Sequence, residues 1–186
     1  MSPLFFILTK ENFVMSSKSC YFAENFGKME RYDKERLEEI VLYVLNKTGE
    51  LDYYTLLKTI YFAELKHLAK WGQRITADEV CAMPYGPVLS HLLDAIKGDS
   101  HEPELSQMLK SAFKFASEDA SIQENASLIF EQLKNKSHDK IWLKNYREGK
   151  GKKVIATMDL AESAHASEAM KEYIKEGLGT EMALAA

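Results

Sequence analysis

The sequence predicts a mainly α, single helical domain of about five to six helices with a small β-hairpin or a short two- to three-stranded sheet. Two observations predict the helices: apolar residues recur at helical spacing in several segments, and those segments are bounded by Asp, Ser and Gly. One observation predicts the sheet: between two such segments the pattern turns strand-like and then runs into Pro84, Gly86 and Pro87. A chain of 186 residues, 46% apolar and 28% charged, suffices for one core and does not demand two.

Residues 1–30 show no sustained period and are expected to form an N-terminal extension. The apolar run Leu4 to Leu8 follows no basic residue and is shorter than the roughly 7 to 15 residues of a signal h-region, so neither a signal peptide nor a membrane span is expected. The domain proper is expected over 31–176. Its first helix runs from about Lys34 to Lys47 behind Asp33 as N-cap, with Leu37, Ile40, Val41, Val44 and Leu45 on one stripe and Gly49 as stop. Asp52 caps a second helix carrying Leu56, Leu57, Ile60, Tyr61, Leu65 and Leu68 to Trp71 and Gly72; its apolar positions cover more than one face, which marks it as the central helix.

Asp78 to Met83 reads as a short strand that Pro84 ends. Pro87 is placed at the first position of the next helix, whose stripe is Val88, Leu89, Leu92, Leu93 and Ile96 up to Gly98. Glu104 to Leu109 is a short helix candidate, and Phe113 with Phe115 alternates like a second strand able to pair with the first. Ser121 and Glu124 form a capping box for a helix bearing Ile122, Ala126, Ile129, Phe130 and Leu133. Ser137 is expected to cap a further helix with Ile141, Trp142 and Tyr146, residues 149–153 are a flexible basic loop, and Asp159 with Glu162 opens a last helix from Leu160 to Glu176, which Gly177 ends. Residues 177–186 are then a flexible tail.

Charge and cysteine usage narrow the function. A net charge of −4 argues against a protein mainly devoted to coating nucleic acid, which needs a basic face to displace counterions. Cys20 and Cys81 are far apart with no CxxC spacing, which implies neither a disulfide framework nor a zinc ribbon, and points to free thiols in a reducing cytoplasm.

No GxSxG, HExxH, Walker A or GxGxxG motif is present, so neither catalytic nor cofactor-binding residues are assigned, and the protein is not expected to be an enzyme. Glu64 with His67 and Glu162 with His165 each have the Glu-x-x-His spacing that di-iron bundles use, but Glu162 already belongs to a capping box and two further carboxylates are not identifiable. A polar pair ordering the central helix is the simpler account, and no metal site is assigned. Lys144, Arg147, Lys150, Lys152 and Lys153 around Trp142 and Tyr146 could follow a phosphate backbone, or could be a solvated loop.

The stretch LLKTIYFAELKHLAKWGQRITADEVCAMPYGPVLSHLLDAI resembles the signature of the Panacea domain, the family of SocA-like antitoxins and phage-associated GepA-like proteins. The resemblance rests on Leu56, Leu57, Tyr61, Phe62, Ala63, His67, Leu68, Gly72, Ile75 and Thr76, above all on Ala82 to Val88, and more weakly on Ser137, His138 and Trp142. It covers about Arg36 to Tyr146. Gln73 and Arg74 stand where the family commonly shows Arg then Pro, and Ala77 where Gly is usual.

The resemblance implies a cytoplasmic bacterial or phage-derived antitoxin of a toxin–antitoxin module, which neutralises a cognate protein toxin by direct contact and needs no cofactor. Trp71, Arg74, Tyr85, Gly86, Pro87 and His91 are the candidate contact residues, because an aromatic held between prolines loses little entropy when a partner buries it. Turn chemistry alone explains the prolines and glycine equally well. Leu184, Ala185 and Ala186 resemble the end of the tag that AAA+ proteases recognise, which makes them a candidate degron and such a protease a second partner. A DNA-binding regulator and a small helical metalloenzyme stand as alternatives.

Overall fold

The computed structural model describes residues 34–48, 52–98, 106–107, 109, 120–147 and 153–184. Among these are seven helices and three short strands: α1 (Lys34–Thr48), α2 (Tyr53–Trp71), β1 (Val80–Met83), β2 (Gly86–Leu89), α3 (Ser90–Lys97), α4 (Ala120–Ser137), α5 (Lys140–Asn145), β3 (Lys153–Val154), α6 (Thr157–Ser163) and α7 (Glu168–Leu184). The mainly α architecture with a small antiparallel sheet is the one the sequence predicts.

Helix α2 organises the rest. Asp52 caps it by accepting from the Thr55 N–H at 3.0 Å, and Gly72, at φ 70°, ends it by donating to the Leu68 carbonyl at 2.9 Å. Between the caps Leu56, Leu57, Ile60, Tyr61, Leu65 and Leu68 are buried, and α2 touches α1, α3, α4, α6, α7 and β2. It buries more than one face because it has neighbours all round. Helix α1 adds Leu37, Val41 and Val44 to the same core. Asp33 and Gly49, its expected boundaries, lie outside the described residues, as do Phe113 and Phe115.

The sheet corrects the reading around Pro87. Strand order is β2-β1-β3, all antiparallel, with Val80 opposite Leu89, Met83 opposite Gly86 and Cys81 opposite Val154. Gly86 to Leu89 is therefore the second arm of a hairpin, and the helix begins only at Ser90. Proline satisfies both assignments locally, since its fixed φ suits a first helical turn and its missing N–H is tolerated on an edge strand. Pairing with β1 decides for the strand. β2 and β3 take both sides of β1, and β3, Lys153 and Val154, begins on the last residue of the loop expected over 149–153.

Three further boundaries differ. Asp139, not Ser137, caps α5 by accepting from the Trp142 N–H at 2.7 Å; Ser137 is buried in the last turn of α4. The expected helix from Leu160 to Glu176 is two helices. α6 closes with Ala166 N–H donating to the Ala161 carbonyl at 3.0 Å around His165, which adopts φ 54°, and the Ser167 hydroxyl then caps α7 by accepting from Met170 N–H at 3.2 Å. This left-handed stop usually carries Gly or Asn, so a histidine there gives no sequence signal. Asp159 lies inside α6, and α7 continues through Gly177 and Gly179 to Leu184.

Candidate functional site

The tip of the β1–β2 hairpin is held by three side chains from two helices, α2 and α5, each taking one backbone carbonyl. Trp142 Nε1 donates to Met83 O at 2.9 Å, Tyr54 Oη to Tyr85 O at 3.0 Å, and Lys58 Nζ to Pro87 O at 2.7 Å. His138 also hydrogen-bonds the Tyr85 backbone. These carbonyls sit on alternate residues 83, 85 and 87. Pro84 and Pro87 lack N–H groups, so the segment has few donors of its own and its shape is set by donors from outside.

Gly86 is required where α2 and α4 converge on the tip. Its φ is 95°, and a Cβ there would lie 2.6 Å from Lys58 Nζ and 3.1 Å from His138 Cδ2, and would meet Ser137 Oγ as well. His138, Trp142 and Tyr146 form a ladder of parallel rings, with centroids 3.8 Å apart at 6° and then 5.0 Å apart at 12°. One flank of Tyr85 is covered by Phe130, edge-on at 5.9 Å, while 60% of the residue stays exposed.

Lys58 is 0% exposed. Its ammonium lies 5.4 Å from the Tyr54 ring centre and 5.8 Å from that of Tyr61. Burial pushes its pKa down to about 7, burial pushes the Tyr54 phenol up to about 12 against the Ser137 hydrogen bond, and burial followed by the charges of Lys58 and Lys134 holds His138 low.

A second cluster fixes the loop before β1. Glu64, 2% exposed, accepts from Ile75 N–H at 2.7 Å and Thr76 N–H at 2.8 Å, and from the Thr76 hydroxyl. Asp78, 0% exposed, accepts from the His91 ring at 2.7 Å and from the N–H groups of His91 and Leu92 at 3.1 Å each, which caps α3 from a distance. Burial raises the Asp78 pKa, and the His91 and Leu92 hydrogen bonds oppose that shift. Between these carboxylates Ala77 adopts φ 53°, the left-handed conformation for which glycine is the easy choice.

The six candidate contact residues do not form one patch. Tyr85 and Trp71 face out, at 60% and 50% exposure, and the His91 side chain is 42% exposed. Arg74 is largely inside, 3.9 Å from Glu64 and donating to the Asp78 carbonyl, and Gly86 and Pro87 are buried. Tyr54, which binds the Tyr85 carbonyl, and Trp71 are at opposite ends of α2, about 25 Å apart along the axis at 1.5 Å per residue.

The other candidate constellations are dispersed. His67 Nδ1 is engaged with the Gln73 carbonyl at 2.7 Å and Glu64 with the neighbouring loop, while Glu162 and His165 are exposed at the end of α6. Among the described residues no group of three or more His, Cys, Asp or Glu could hold a metal ion, and no helix is long and apolar enough to cross a membrane. Lys144 is paired with Asp159 at 2.8 Å, and Trp142 is turned to Met83, so the basic cluster does not present its aromatics outward; Lys150 and Lys152 lie outside the described residues. Leu184 closes α7, with Ala185 and Ala186 beyond the described residues. Cys81 is buried in β1. Lys58, Tyr54 and Phe130 are absent from the sequence-based site, although a lysine set among Leu56, Leu57, Ile60 and Tyr61 is a signal in its own right.

Residues 56–176 match the family model for the antitoxin SocA-like, Panacea domain. The match ends at 176, beyond the Tyr146 limit of the sequence resemblance, and so takes in β3, α6 and the first half of α7. No curated protein and no solved structure matches the chain.

Proposed function

We propose, from the premise that this chain belongs to the SocA-like Panacea domain family, that it is a cytoplasmic antitoxin that neutralises a cognate protein toxin by direct contact, with no reaction catalysed. The family match carries this reading. The hairpin tip supports it physically: Tyr85 stands outward on a turn whose carbonyls are bound by Tyr54, Lys58 and Trp142. A preorganised aromatic of this kind suits a protein interface, because its geometry is fixed before the partner arrives. Trp71 and the half-exposed His91 are outlying contacts of the same surface class.

The test is a native pull-down of the tagged chain from its own cells, followed by expression of any stoichiometric protein partner alone and together with the chain. A partner toxic alone and harmless in coexpression is the expected result; a chain with no such partner overturns the reading. Within the complex, Tyr85→Ala is expected to weaken binding by about 2 kcal/mol, roughly 30-fold, while leaving the fold intact. Unchanged affinity of a folded Tyr85→Ala protein removes the tip from the interface.

A further inference from the structure

Two nitrogen bases meet under the hairpin tip, Lys58 of α2 and His138 in the joint between α4 and α5. A Cβ on Gly86 would stand 2.6 Å from Lys58 Nζ and 3.1 Å from His138 Cδ2, so the ammonium and the ring both lie within 3.1 Å of one point beside the tip backbone. Lys58 donates to the Pro87 carbonyl at 2.7 Å. His138 is partly exposed, yet its Nε2 is buried and, among the described residues, has no hydrogen-bond partner. Its ring is stacked on Trp142, whose Nε1 holds the Met83 carbonyl at 2.9 Å.

No carboxylate is placed to balance a second charge at this point. From α2 the rings of Tyr54 and Tyr61 face Lys58, and Asp52, at the start of that helix, is engaged with Thr55. Helix α4 contributes Lys134, whose charge reaches His138, and Glu131, which is paired with that lysine at 3.4 Å. Asp139 favours protonation of its neighbour His138, but its oxygens already accept from the Trp142 N–H and the Ser163 hydroxyl. Burial, and then the charges of Lys58 and Lys134, hold His138 below the ordinary histidine range. Lys58, pushed down by burial to about 7, is charged in mild acid. Protonating His138 there sets two cations against one glycine, and the N–H of its Nε2 has no acceptor.

We propose that Lys58 and His138 form a proton-operated latch beneath the hairpin tip: with His138 neutral the tip is clamped, and a proton taken up by His138 drives its ring away from Gly86 and frees the turn that carries Tyr85. The closed tip disfavours that proton and the open tip does not. The closed state is therefore fully favoured above 6.5, the ordinary histidine value, and loses ground as pH falls below it. The latch is a property of the tip itself; joined to the antitoxin reading, it makes the contact surface sensitive to acid.

The test reads the Trp142 indole N–H by proton–nitrogen NMR of the full chain. The sequence has two tryptophans, and Trp71, half exposed, is the reference for solvent exchange at each pH. From about pH 7.5 to about pH 5, protection of the Trp142 indole relative to that of Trp71 is expected to fall about tenfold or more, in step with titration of the His138 ring. His138→Phe keeps a ring on Trp142 with no proton to gain, and Lys58→Met removes the other cation; in each, protection is expected to stay level within about twofold. Level protection in the wild type overturns the proposal, as does an equal fall in whichever variant folds. The measurement needs no partner, so failure of the antitoxin reading shows separately, as the absence of a toxic partner in coexpression.

Discussion

Lys58 Nζ donates to the Pro87 carbonyl at 2.7 Å, and among the described residues no carboxylate forms an ion pair with this buried ammonium. The contact ties the central helix to the hairpin across 29 positions of sequence. A buried charge held by one carbonyl and two tyrosine rings makes stability depend on whether the lysine is charged.

The pH dependence follows from that shift. The Lys58 pKa falls from 10.5 to about 7 on folding, so between those values the unfolded chain binds more protons and stability rises with pH, at up to about 1.4 kcal/mol per pH unit. Below pH 7 both states are protonated and the contribution is flat. Tyr54, raised to about 12, acts in the opposite sense above pH 10, so the window to measure is about pH 7 to 9.5. Urea midpoints are expected to rise across it in the wild type and to stay level in Lys58→Met. A level wild-type curve contradicts the assignment.

Gly86→Ala is expected to destabilise by about 3 kcal/mol or more. The residue would have to hold φ 95° and displace Lys58 Nζ, Ser137 Oγ and the His138 ring. Chemical denaturation measures it, and a loss under about 1 kcal/mol would show that the tip relaxes around the new methyl group.

Ala77→Gly is expected to stabilise the protein, by about 0.5 to 1 kcal/mol. An alanine at φ 53° carries roughly 1 to 2 kcal/mol of left-handed strain, partly offset by the greater freedom of glycine in the unfolded chain. A fall in the denaturation midpoint on this substitution would mean that the loop holds Ala77 by contacts of its methyl group.

Trp142→Phe removes the donor to Met83 O while keeping a ring between His138 and Tyr146. The expected cost is about 1 to 2 kcal/mol, the penalty of a partly buried carbonyl left without its partner. A coexpression assay should show weaker neutralisation in proportion to the fraction unfolded, and a neutralisation defect in a fully folded variant would place Trp142 in the interface as well.

Much of the fold is legible locally. Asp52 and Gly72 bound α2 in the sequence as they do in the structure, because a cap acts within a few residues of itself. The same locality explains the failures. Pro87 suits a helix start and an edge strand alike, His165 ends α6 with none of the residue types that announce such a stop, and Gly177 and Gly179 are carried inside α7. Of the candidate site, Tyr85 was legible as an exposed turn aromatic, whereas the burial of Gly86, Pro87 and Arg74 was not.

The sequence by itself determined a mainly helical domain, its central helix and the Pro- and Gly-rich turn, since periodicity, caps and turn residues act over one or two turns of chain. Only the tertiary structure decided that this turn is a hairpin tip bound by Tyr54, Lys58 and Trp142, and that Lys136 of α4 lies over the Phe62 ring of α2. Those relationships join residues 31, 29, 59 and 70 or more positions apart, and a carbonyl's donor or a lysine's neighbour at such separation is fixed by packing alone.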